Sequence, residues 1–137
     1  MLKLTSEQLS AIISHAQATN PEECCGLIGG EVNTPHSIYK LNNRAANPRI
    51  TYEASPEELF AAQRQMRDRG EQLLAIYHSH PRASDPLPSD TDVRLAYYPA
   101  ALYLIVGLAA AQPVLRAFRL SEKEHSWEQV EYEILDE

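Results

Sequence analysis

What this chain has little of narrows it first. It carries two cysteines, adjacent at Cys24 and Cys25. A disulfide framework needs separated pairs, so a stapled secreted fold is excluded. No run of Lys or Arg occurs anywhere: 12 basic residues face 19 acidic ones, the net charge is −7 and the pI is about 5.2. Phosphate backbones ask for basic patches, so nucleic acid is not an expected partner. Long apolar runs are missing too. The longest, Ala100 to Ala111, falls short of the roughly 20 residues a membrane helix needs. The opening Met1-Leu2-Lys3-Leu4-Thr5 lacks the basic region, apolar stretch and small-residue cleavage site of an export signal. The expectation is a cytoplasmic protein without membrane contact. There is no internal repeat or low-complexity segment. At 137 residues and 44% hydrophobic, the chain suffices for one domain, 1–137, and hardly for two.

What is present reads as alternating helices and strands. Thr5-Ser6-Glu7-Gln8 matches a capping box, and Leu9, Ile12, Ile13 and Ala16 follow at helical spacing, predicting a helix over about 6–19. Cys25 to Gly30 reads as a short buried strand and Ser37 to Leu41 as another. Asn42 to Pro48 is turn-rich, and Ile50-Thr51-Tyr52 can extend again. Ser55-Pro56-Glu57-Glu58 combines an N-cap serine, a proline at the first helical position and a glutamate closing a box. It predicts a helix to Arg69, capped at Gly70. Leu73 to His80 follows as a strand, then a proline-containing loop over 82–88 and a brief helix opened by Ser89. Ala101–Leu108 reads as a central strand and Val114–Leu120 as its partner. Trp127–Ile134 alternates as one edge strand with a wet face. The fold class is α/β, a mixed, curved sheet flanked by helices.

The chemistry concentrates in His78-Ser79-His80-Pro81 and Pro88-Ser89-Asp90-Thr91-Asp92. Two histidines two positions apart share a face only on a strand. Two imidazoles and a carboxylate about a dozen residues on make a three-ligand zinc site with a free fourth position, as a hydrolase needs. Hydrolysis also requires a base for the attacking water, and Glu22 and Glu23 are the candidates upstream. Ser89 can donate a hydrogen bond to a developing oxyanion. Ser89-x-x-Asp92 is equally a capping box, and a helix start can itself aim a first-turn acid at a metal.

These elements together resemble the JAMM (MPN+) metalloproteases in their short prokaryotic branch. The family pattern is an upstream glutamate, H-[ST]-H-P, a short loop and S-x-x-D. Here they read as Glu23, His78-Ser79-His80-Pro81 and Ser89-Asp90-Thr91-Asp92. Glu23-Cys24-Cys25-Gly26 looks like the E-x-C-G of prokaryotic members, and the resemblance runs from about Leu4 to Arg119. It implies an MPN/cytidine deaminase-like fold. It also implies one zinc on His78, His80 and Asp92, Glu23 as general base and Ser89 as oxyanion donor. The implied partner is the C-terminal tail of a ubiquitin-like protein or sulfur carrier, cut at an amide or isopeptide bond. One departure stands out: eleven residues separate His80 from Asp92, where members usually have ten. The 82–88 loop is expected to absorb it, with Asp90 as the fallback ligand.

The remaining candidates have plainer readings. Cys24 and Cys25 read as small buried residues, Asp85 as solvated, and His15, His36 and His125 as surface or turn residues. Trp127, Tyr97, Tyr98 and Tyr103 read as packing, and Tyr52 sits where a groove residue could be. Two alternatives come from other classes: a small-molecule amidohydrolase with the same zinc set, and a catalytically silent MPN-type binding scaffold, which keeps the fold but usually lacks the ligands this chain retains. The oligomeric state is not legible.

Overall fold

A computed structural model describes residues 1–135. The order is β1 (Leu2–Thr5), α1 (Ser6–Thr19), β2 (Cys25–Glu31), β3 (Thr34–Leu41), α2 (Pro56–Asp68), β4 (Gln72–His80), α3 (Asp90–Arg94), β5 (Leu102–Gly107), β6 (Val114–Ser121), β7 (Ser126–Val130) and β8 (Tyr132–Leu135). Six strands form a mixed sheet in the order β3-β2-β4-β5-β6-β7, and β1 pairs with β8 in a separate two-stranded sheet. Within the large sheet only β4 and β5 run parallel, so the chain must cross over between them. That crossover carries the 82–88 loop and α3.

Each helix is held by its own sequence. Thr5 accepts from the Gln8 N–H while the Gln8 side chain accepts from the Thr5 N–H, a complete capping box. At α2, Ser55 accepts from the Glu58 N–H, but the box is not closed. The Glu58 carboxylate instead accepts from the backbone and side-chain amides of Asn42, both at 3.0 Å. A tertiary partner with two donors outcompetes one local N–H. Gly70 follows the Arg69 C-cap with φ +68°, where a side chain would be strained.

Two cores sandwich the sheet. Leu27, Ile76, Ile105, Phe118 and Met66 pack under α2. Leu4, Ile12, Ile28, Tyr77, Leu104 and Ala117 pack under α1. A register shift between Ile28 and Gly29 opposite β4 resets the alternation. Beyond it Ala75 and Tyr77 face α1, while Ile76 lies on the α2 side. By the two-residue period, His78 and His80 share the Ile76 face.

Two expectations need correction, and one strand went unread. Ile50–Tyr52 forms no strand; the chain turns at 48–50. Leu2–Thr5 is a strand, which four residues leading into a helix do not announce. Trp127–Ile134 is not one edge strand. It breaks at Glu131: β7 pairs with β6, then β8 leaves to run parallel to β1. Both halves alternate, so periodicity could not reveal the break. Burial of Tyr132 and Ile134 against the α1 core, with the Tyr132 hydroxyl donating to the Leu115 carbonyl at 2.6 Å, favours it.

Candidate metal centre

The two histidines leave the end of β4 on one face, and α3 brings a carboxylate to them. His78 Nε2 and His80 Nε2 lie 3.1 Å apart, and Asp92 Oδ2 is 3.2 Å from the first and 3.0 Å from the second. The same Oδ2 accepts the Ser89 N–H at 2.9 Å while Ser89 Oγ accepts the Asp92 N–H at 3.0 Å. The capping box therefore fixes the rotamer that aims the acid at the histidines. Asp90, two residues earlier in α3, is exposed, and the acid at the histidines is Asp92. The loop ahead of Ser89 is tied to the end of β5. Ala83 accepts from the Ala109 N–H, and Pro86 packs on Gly107, where a Cβ would come within 2.6 Å of the Ala83 carbonyl and 2.9 Å of the proline ring. Close approach to Gly107 thus anchors the loop.

The donor set fits a metal ion. Three polar atoms at mutual hydrogen-bond distance cannot all be satisfied by imidazole protons, because two corners are ring nitrogens and the third only accepts. Neutral imidazoles and a carboxylate are zinc donors, and donors about 2.0–2.2 Å from a tetrahedral ion sit about 3.3 Å apart. Buried His78 Nδ1 has no hydrogen-bond partner among the described residues. Ring orientation comes instead from Tyr52, stacked on His78 at 4.6 Å between centroids and 28° between planes. Tyr52 is thus a neighbour of the cluster itself.

Glu23 stands across the site. It is 4% exposed, and its carboxylate and one ring nitrogen of each histidine lie within 4.8 Å of one another. Its Oε1 has no hydrogen-bond partner among the described residues. The backbone ladder explains the placement. Ser79 N–H donates to the Cys24 carbonyl, and Cys24 N–H to Ser79 Oγ at 2.9 Å, pinning the segment before β2 beside the end of β4. Glu22 is exposed. Burial raises the Glu23 pKa to about 8, against a lowering by His80. Burial alone would raise the Asp92 pKa, but His78 and the hydrogen bonds from His80 and Ser89 hold it well below the carboxylate range. Burial would lower that of His80; its hydrogen bond to Asp92 and the nearby negative charges outweigh this and raise it.

Two cavities adjoin the cluster. A cleft of about 340 Å³ is bordered by Glu23, His80 and Ser89 and flanked by Arg49 and Arg82. The other, about 210 Å³, is lined mostly by apolar surface from Leu41, Tyr52, Leu59, Leu95, Tyr97 and Tyr103, and reaches Asp92. Tyr97 and Tyr98 are exposed, so these two are not the packing residues they were expected to be; Trp127, though partly exposed, does pack, its ring edge-on to buried Phe118 at 5.4 Å between centroids. Tyr103 is buried. Asp85 pairs with Arg116 at 3.1 Å on the surface, a contact worth little. His15 is not a plain surface residue: its Nδ1 meets the Tyr77 hydroxyl at 2.7 Å, and burial lowers its pKa. Cys24 and Cys25 are free and buried, and burial raises their thiols to about 11 and about 12. They are inert at neutral pH.

Asn43 escaped the sequence reading. Its amide donates to the carbonyls of Glu23 (3.0 Å), Pro48 (3.2 Å) and Thr51 (2.9 Å), and its Oδ1 accepts from the Ala45 and Glu53 amides. Glu23 N–H in turn donates to Pro48. One side chain therefore ties the Glu23 backbone to the 47–53 loop. The only sequence signal is an asparagine in a turn-rich stretch, which has many uses.

Residues 5–121 match the family model described as prokaryotic homologs of the JAB domain. A desampylase of Haloferax volcanii is 36% identical over 110 residues, covering 76% of this chain and 78% of that one. A CysO-cysteine peptidase of Mycobacterium tuberculosis is 32% identical over 108 residues, covering 77% and 73%. A solution structure of a Desulfitobacterium hafniense protein superposes with a TM-score of 0.86 at 33% identity, over 100% of this chain and 94% of that one.

Proposed function

The chain belongs to the prokaryotic JAB-domain family, and on that footing we propose that residues 1–137 form one zinc-dependent peptidase domain. It hydrolyses an amide or isopeptide bond at the C-terminal tail of a ubiquitin-like protein or sulfur carrier. The single observation carrying the chemistry is the triangle of His78, His80 and Asp92 with buried Glu23 across from it. The relatives named as a desampylase and a CysO-cysteine peptidase support the substrate class. Among the described residues no helix is long and apolar enough to cross a membrane. Free thiols at Cys24 and Cys25 suit a reducing cytoplasm.

His78, His80 and Asp92 would hold the zinc, which would supply a Lewis acid for the scissile carbonyl and lower the pKa of water. Glu23 takes the proton of the attacking water and returns it to the departing nitrogen. Its Oε1, without a hydrogen-bond partner among the described residues, is free to do so. Ser89 spends its lone pair on the Asp92 N–H, which leaves its hydroxyl proton to donate to the developing oxyanion. The apolar chamber beside Tyr52 takes a non-polar side chain of the extended tail.

The test is a set of carrier fusions bearing short C-terminal extensions. Wild type loaded with zinc should release the extension, and Glu23→Gln should be slower by about two to four orders of magnitude. Turnover of small amides without cleavage of any tail would replace the peptidase with an amidohydrolase. Absence of all hydrolysis would leave a binding scaffold.

A further inference from the structure

The metal cluster adjoins two hollows with no lining residue in common. Glu23, His80 and Ser89 border the open cleft. Tyr52 and Asp92 wall the chamber, and none of those three does. Glu23 hands its proton to the departing nitrogen, so the leaving group belongs on the cleft side. The acyl side of the substrate is then left to the chamber.

The chamber's size and chemistry suit one side chain. Its volume of about 210 Å³ exceeds the roughly 150 Å³ of a dry cavity that holds benzene. It falls short of the roughly 300 Å³ at which pockets for drug-sized ligands begin. Leucine fills such a space and glycine leaves it empty. Leu41, Leu59 and Ile76 make much of the wall, where a charged side chain would shed water without a partner. Asp92 offers no such partner to a cation, because its Oδ2 is already shared by His78, His80 and the Ser89 N–H. An acid would meet the same carboxylate as a like charge.

One hydroxyl holds the mouth. Leu95, Tyr97 and Tyr98 line the chamber and are also exposed, so they form its solvent side. Tyr103 is buried on β5, opposite Ile76 of β4, and lines the chamber too. Its hydroxyl accepts the Tyr98 N–H at 3.3 Å. The Tyr98 carbonyl accepts the Ala101 N–H at 3.0 Å. The rigid sheet thus reaches the mouth segment through a single phenol.

We propose that the chamber selects one uncharged apolar side chain on the acyl side of the scissile bond. Tyr103 sets that selectivity, both as a wall and as the anchor of the Leu95–Tyr98 mouth. The inference rests on the peptidase reading and adds the side, the size and the residue that enforces them. Burial of the side chain supplies the affinity; closely packed walls on the sheet, α2 and α3 limit its width.

The experiment uses fusions of one carrier with a ubiquitin-like fold. Each of the last few residues before the scissile bond, and the first after it, is in turn glycine, leucine or aspartate. At one acyl-side position, wild-type kcat/KM should favour leucine over glycine and aspartate by about tenfold to a hundredfold, chiefly through KM. Leu59→Trp fills the chamber from its α2 wall and should reverse the order of leucine and glycine at that position alone. Tyr103→Phe keeps the ring and removes the hydroxyl. It should raise KM for the leucine tail more than for the glycine tail, with zinc content at the wild-type level. Calorimetry in the Glu23→Gln background, where turnover is suppressed, should rank the tails in the same order. Equal values at every acyl-side position would overturn the proposal, as would a preference confined to the residue after the bond. A Tyr103→Phe variant that weakens all tails alike would remove Tyr103 from the selectivity. A zinc-loaded wild type that cleaves no tail, yet binds the leucine tail best and loses that preference in Leu59→Trp, would sink the peptidase reading and leave the apolar pocket standing.

Discussion

Replacing the Glu23 carboxyl by the neutral amide of glutamine should make the metal-free protein harder to unfold while removing its activity. Glu23 is 4% exposed, has an oxygen with no hydrogen-bond partner among the described residues, and is pushed by burial from about 4.5 to about 8. Its folded pKa therefore lies above its unfolded one. The carboxyl is least costly to folding below pH 4.5, where both states hold the proton. Its cost grows as pH rises and levels off above 8, where both states have lost it. At about 1.4 kcal/mol per tenfold change in proton affinity, the full range is at most about 5 kcal/mol. The cleft beside Glu23 admits water, which screens the charge and leaves about 2–3 kcal/mol. Urea unfolding in excess chelator reads this directly. Glu23→Gln minus wild type should be close to zero at pH 4 and about 2–3 kcal/mol in favour of the variant at pH 8.5. A variant less stable than wild type at pH 8.5, or a difference unchanged between the two pH values, would refute the desolvated-base account.

Other perturbations follow from the same contacts. Tyr52→Ala should weaken zinc binding by about 10–100-fold, and Tyr52→Phe should restore it, because the stack rather than the hydroxyl orients His78; competition with a chromophoric chelator measures both. Asn43→Ala removes five hydrogen bonds around the Glu23 loop and should cost about 2–4 kcal/mol by urea unfolding, with kcat reduced in the zinc-loaded protein. Gly107→Ala places a methyl against the Ala83 carbonyl and Pro86. It should cost about 1–3 kcal/mol and lower zinc affinity by displacing the loop that delivers Asp92. Saturating zinc should raise the thermal midpoint of wild type and leave that of His80→Ala unmoved.

Much of this architecture is written in local chemistry. Thr5 and Gln8, Ser55 and Pro56, and Ser89 and Asp92 mark helix starts because capping is decided within four residues. The His78–His80 face is legible because strand periodicity is also local. The unseen parts depend on competition between distant groups. Glu58 abandons its capping bond for Asn42, Asn43 reaches back to Glu23, and the chain breaks at Glu131 to meet β1. None of these leaves a period or a spacing in the sequence. Arg49 and Arg82, 33 positions apart, become neighbours of one cleft only after β2 and β4 pair.

The most direct measurement of the central claim is the zinc content of purified protein, for wild type, His80→Ala and Asp92→Ala. Wild type should hold about one zinc per chain and both variants little or none, with fusion cleavage lost in parallel. Full zinc occupancy in Asp92→Ala, or tail cleavage by wild type stripped of all metal, would contradict the account.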